Sequence, residues 1–129
     1  MHSSSPHPVL DRTEGLRRVR GNEKLYRELV QVFLRDLPRL TGLLRAAVEN
    51  RSAKDLHAAA HSLKGSASHL GASAVVQAAW VLEKMGHDGD LTEVANSFQL
   101  LERDLQELTP LLQSLASDGS SFDHPAREP

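Results

Sequence analysis

Residues 53–86 read AKDLHAAAHSLKGSASHLGASAVVQAAWVLEKMG, and this stretch decides the fold. Leu56, Ala60, Leu63, Ala67 and Leu70 recur every three or four residues, which lines up one apolar face of a helix. That helix starts near Ala53 and stops at Gly71, because glycine tolerates the positive φ with which helices commonly end. The apolar pattern resumes as Val75, Ala79 and Leu82, in a second helix read from about Ser73 to Met85 and ending at Gly86. Two amphipathic helices joined by so short a turn fold back against each other.

The flanks extend the same pattern. Upstream, Asn22 caps a longer helix running to about Asn50, with Leu29, Phe33, Leu37, Leu40, Leu44 and Ala47 on one face. Pro38 lies inside it and predicts a kink. Before it, Asp11-Arg12-Thr13-Glu14 fits a capping pattern and opens a short helix ending near Gly21. Downstream, Asp90-x-x-Glu93 caps a fifth helix carrying Leu91, Val94, Phe98, Leu101, Leu105, Leu108, Leu112 and Leu115, whose alternating spacing predicts a narrow packing seam. Pro110 is expected to bend its last turns. The expected fold class is therefore all-α: an antiparallel up-and-down four-helix bundle with a short additional N-terminal helix capping one end. Residues 1–10 read as a linker, 11–116 as the bundle and 117–129 as a disordered tail.

Composition agrees and narrows the function. The chain has 129 residues, enough for one domain. Only five residues are aromatic, few for a sheet protein, whereas Leu and Ala dominate. The absence of cysteine excludes disulfides, thiolate metal sites and a cysteine nucleophile. With 15 Lys and Arg against 17 Asp and Glu, the net charge of −2 argues against a dedicated nucleic-acid binder. No apolar run approaches the ~20 residues of a membrane span. The first ten residues hold no apolar signal stretch, and the expected location is cytoplasmic.

The chemistry concentrates around His61. Five residues beyond Leu56, it lies about 140° round the helix and points away from the core. Lys64 stands one turn on, and Gly65 and Ser68 share the exposed side. A mid-helix glycine costs ~1 kcal/mol relative to alanine; beside an exposed imidazole, the missing side chain lets another surface approach closely. Counting from the turn at Ala72, His61 is eleven residues before and Glu83 eleven after, so the two stand level on antiparallel helices. A carboxylate there accepts a hydrogen bond from Nδ1–H, fixes the tautomer and leaves the Nε2 lone pair outward as a nucleophile. Lys64 supplies a cation for developing phosphoryl charge.

The run from His61 to Ala72, HSLKGSASHLGA, resembles the signature of histidine-containing phosphotransfer (HPt) domains, a His-x-Leu-Lys-Gly pattern followed by Gly-Ala. The likeness reaches back to Gly21-Asn22-Glu23-Lys24-Leu25-Tyr26 and forward to Leu82-Glu83, spanning about residues 11–115. It implies a phosphocarrier between receiver-domain aspartates, with His61 phosphorylated, Lys64 and Gly65 beside it, and Glu83 where members carry a hydrogen-bonding Gln or Glu. His69 departs from the commoner Asn or small residue. The chain lacks a P-loop, a kinase glycine loop and an acidic magnesium cluster, so it is expected to hold no cofactor and to have no ATP site. Mg2+ is expected on the partner receiver domain, which belongs to a response regulator or to a hybrid sensor kinase. A monomer is expected.

Other residues have plainer readings. His57 and His61 have the i, i+4 spacing of helical metal ligands, but no carboxylate completes a His-Glu-x-x-His pattern, and no metal site is expected. His57, Ser62, His69 and Ser68 read as parts of the docking surface, and His87 as a loop residue. Trp80 fits either the core or a half-exposed anchor at the partner interface. Arg12, Arg17, Arg18, Arg20 and Arg27 read as a solvated face. The competing function is a helical adaptor with no covalent chemistry.

Overall fold

A computed structural model describes residues 7–122, and the side chains of 118–122 are left aside. Among the described residues there are five helices and no strand: α1 (Arg12–Arg18), α2 (Glu23–Glu49), α3 (Ala53–Leu70), α4 (Ser73–Asp88) and α5 (Val94–Phe122). The four long helices form a closed ring of neighbours, α2 on α3, α3 on α4, α4 on α5 and α5 on α2, with α1 laid over α3 and α2. The expected all-α bundle is what the chain adopts.

The caps follow from side-chain chemistry. Asp11, Asn22 and Ser52 each accept a hydrogen bond from the backbone N–H three residues on, satisfying a donor that has no partner within its helix. Gly71 ends α3 at φ 79°, and its carbonyl accepts from Asp11 N at 2.7 Å. A Cβ at Gly71 would also collide with the Asp11 carbonyl, so the α3–α4 turn and the start of α1 interlock only with glycine there.

The core is wholly apolar. Leu40, Leu44, Leu56, Leu63, Leu70, Val75, Leu82, Leu101, Leu108 and Leu112 are fully buried, with no buried charge among them. In the first half of α2 the innermost residues are Tyr26, Val30 and Phe33; Leu29 and Leu37, read as inward, are half-buried. The Tyr26 hydroxyl donates to the Leu70 carbonyl at 2.7 Å, and that bond turns this end of α2 toward the C-terminal end of α3. Pro38 and Pro110 lie inside their helices without ending them.

Several helix ends differ from the sequence reading. α1 stops at Arg18 rather than near Gly21, and the chain turns through Arg20 (φ 56°) and Gly21 (φ 77°). α4 does not stop at Gly86 but runs to Asp88 and is closed by Gly89 at φ 73°. Gly86 is instead a buried contact: a Cβ there would lie 2.6 Å from His57 N and 2.7 Å from Ala53 O, so its absence lets the backbones of α3 and α4 touch. Asp90 does not cap α5; its Oδ1 takes the Thr92 N–H at 3.1 Å and the Thr92 hydroxyl at 2.7 Å in a local turn, and the helix begins at Val94. Leu91 therefore packs on the core from the turn.

The boundaries drawn at 10 and 116 also shift. Val9 and Leu10, read as linker, pack on the core, and Pro8 O accepts from Ala74 N at 3.0 Å. α5 continues past 116 to Phe122. Residues 1–6 and 123–129, which the linker and tail readings also cover, lie outside the described residues.

Candidate functional site

His61 stands on the outer face of α3, four residues after His57 and three before Lys64, with about two-thirds of its side chain exposed (66%). The seam with α4 determines what it meets. Gly86 brings the two helix axes close, and Glu83, one turn before it, rises out of the seam with only 13% of its side chain exposed.

The His61 Nδ1–Glu83 Oε2 distance is 2.7 Å. Burial raises the proton affinity of the Glu83 carboxyl, but hydrogen bonds and charge from Lys64 and His61 outweigh it and hold the group below its ordinary value. An ionised carboxylate only accepts, so Nδ1 carries the hydrogen and donates it, and neutral His61 presents a bare Nε2 on the opposite side of the ring. The level pair counted from the turn is thus in direct contact.

Lys64 Nζ lies 2.6 Å from Glu83 Oε1 and its side chain is largely covered, so in this arrangement its charge rests on the carboxylate. Lys64 is thus the charged partner of Oε1. Glu83 therefore collects His61 and Lys64 on separate oxygens, and His57 Nε2 approaches Oε2 at 3.8 Å.

The remaining candidates divide into two groups. Gly65 is exposed, and a Cβ there would meet nothing within 4 Å, so no packing among the described residues requires glycine. Ser62 and His69 are exposed on either side of that gap. The Ser68 hydroxyl is spent on the Lys64 carbonyl at 2.9 Å. Trp80 is not core: it is 45% exposed and lines a groove of about 250 Å³ with Val81, Lys84 and Met85, running toward the α4–α5 turn. It does not join the His61 cluster.

His87 joins that cluster instead. Extension of α4 to Asp88 places it on the helix, with its ring centroid 6.0 Å from that of His57. The turn count that pairs His61 with Glu83 also pairs His57 with His87, fifteen residues to either side of Ala72; ending the helix at Gly86 hid this. The described residues contain no group of three or more His, Cys, Asp or Glu arranged to hold a metal ion. They also contain no helix long and apolar enough to cross a membrane.

The family model described as Hpt domain matches residues 28–116. Among solved structures, the chain is similar to histidine-containing phosphotransfer protein B (HptB) from Pseudomonas aeruginosa PAO1. The TM-score is 0.79 at 25% sequence identity, over 86% of this chain and 96% of that one. No curated protein matches.

Proposed function

The chain belongs to the Hpt-domain family, and on that premise we propose that it takes a phosphoryl group from a receiver-domain aspartate onto His61 and hands it to a second receiver. The observation that carries this reading is the 2.7 Å contact between His61 Nδ1 and Glu83 Oε2 on an otherwise open ring.

The chemistry is a displacement at phosphorus. The Nε2 lone pair attacks, the Nε2–P bond forms, and the bond to the aspartyl oxygen breaks with its electrons leaving on the carboxylate. The ring gains positive charge as this happens, and the Glu83 carboxylate already faces that charge through Nδ1–H. Little covalent work falls to the bundle, because phosphoryl transfer depends on positioning and charge neutralisation. The receiver brings Mg2+ and its own acidic pocket. Lys64 serves the phosphoryl group by turning its ammonium away from Glu83 Oε1, a movement its flexible stem allows.

Docking uses the open ground beside the ring: Gly65, Ser62 and Ala58 are exposed, and nothing among the described residues fills the space over Gly65. A carrier that serves two receivers in turn needs a modest, transient interface.

The test is labelling by a panel of phosphorylated receiver domains. The wild-type chain is expected to acquire an acid-labile, base-stable phosphoryl group. His61→Gln is expected to acquire none while keeping its helical circular dichroism. Label on that variant rejects His61 as the acceptor, and a wild-type chain that binds receivers without label is an adaptor.

A further inference from the structure

An exposed imidazole on a helix turns about its Cβ–Cγ bond, and a half-turn would carry Nδ1 away from Glu83. One hydrogen bond is a modest restraint on such a ring. The structure supplies a second. The His57 ring lies parallel to that of His61, at 8° between planes and 6.3 Å between centroids, within the range of interacting ring pairs. Its Nε2 stands 3.8 Å from Glu83 Oε2, the oxygen that takes the His61 proton.

The backbone that carries the His57 ring is packed into the seam, and the side chain itself is 42% exposed. That backbone is pressed against Gly86, where an added Cβ would lie 2.6 Å from His57 N and 2.9 Å from its Cα. On its far side lies the His87 ring, tilted by 45° at 6.0 Å, and His87 Nδ1 is held 3.1 Å from Asp88 Oδ1. The rings of His87, His57 and His61 thus follow one another along the α3–α4 seam, with Glu83 at the His61 end.

Resting on the phosphocarrier reading, we propose that His57 is a positioning residue for the acceptor: its ring, carried on a backbone packed against Gly86 and lying parallel to that of His61, holds the His61 plane in which Nδ1 faces Glu83 and Nε2 faces the visiting receiver. His57 takes no phosphoryl group and touches no reacting atom. It acts through the orientation of its neighbour, so its removal slows the step after docking and leaves docking itself alone.

The experiment compares wild type, His57→Ala and His57→Phe as full chains at one pH, with two readouts. Nitrogen-15 chemical shifts of the unphosphorylated protein report which His61 nitrogen carries the hydrogen. Labelling rates over a range of phosphorylated receiver concentrations separate the saturated rate from the half-saturating concentration. His57→Ala is expected to lose the sharp Nδ1–H pattern and to lower the saturated rate about tenfold, as misplacement of a reacting group does, with half-saturation unchanged. His57→Phe, which keeps a flat ring, is expected to restore both.

Wild-type behaviour of His57→Ala in both readouts overturns the proposal. A change in half-saturation alone makes His57 a docking residue and overturns it too. Failure of His57→Phe to rescue shows that the ring plane is not what matters. If the wild-type chain takes no label, the phosphocarrier reading fails, while the nitrogen shifts still decide whether His57 orients His61.

Discussion

Two glycines lie within the helices that build the site, Gly65 well inside α3 and Gly86 in the last turn of α4, and they do opposite things. Gly86 is buried in the α3–α4 seam, with the backbone of Ala53 and His57 where its side chain would be. Gly65, on the outer face of α3, has nothing within 4 Å of that position. Each costs its helix ~1 kcal/mol relative to alanine. Gly86 offsets that cost with packing that brings Glu83 level with His61. Gly65 has no such return among the described residues, and the proposed approach of a receiver beside His61 would supply one. The seam makes the site and the open face exposes it.

Substitution at the two positions separates these roles. The largest effect on stability is expected from Gly86→Val. Forcing a branched side chain against backbone is expected to cost about 3 kcal/mol, measured as a lower midpoint in urea, because backbone cannot yield as a flexible side chain can. A variant as stable as wild type would mean that the seam has slack and that Gly86 does not set the spacing of Glu83 and His61.

Next comes the charge in the seam. Glu83 has a folded-state proton affinity below its ordinary value. Its stabilising contribution is therefore fully present above the ordinary carboxylate range and is lost as pH falls through the lowered folded value. Urea midpoints of wild type and Glu83→Gln are expected to differ at neutral pH and to converge in acid. A gap that persists below that range would show that the carboxylate's shape matters and its charge does not.

The smallest effect on stability, and of opposite sign to the first, is expected from Gly65→Gln. With no neighbour to strike, the new side chain only improves helix propensity, by about 0.5 kcal/mol. The same change fills the approach beside His61, so phosphoryl acceptance from a receiver is expected to fall sharply although the protein is more stable. Undiminished acceptance would break the contrast between the two glycines.

How much of this was legible follows from the kind of interaction involved. His61 faces outward because of its angular distance from Leu56, and Glu83 is level with it because Gly71 and Ala72 make a short turn between antiparallel helices. Both are local geometry and were readable. Gly86 reads as a helix end in the sequence because a buried glycine in the last turn and a glycine that closes a helix look alike until the neighbouring helix is in place. That misreading removed His87 from the helix and from its place opposite His57. Asp90 was misread because its side chain bonds Thr92, and several local partners compete for such a carboxylate.

Lys64 illustrates the limit most directly. Its spacing puts a cation near His61, but whether the ammonium faces the imidazole or Glu83 depends on a carboxylate carried by another helix. The sequence by itself determined the helices, their order, the outward imidazole and the gap beside it, because each depends on periodicity, capping and backbone freedom within a few residues. Tertiary structure decided how close α3 and α4 lie, and with it the partners of Glu83, the stacking of His57 and the true end of α4. Those are contacts between residues far apart in the chain, and their energies exist only once the helices have met.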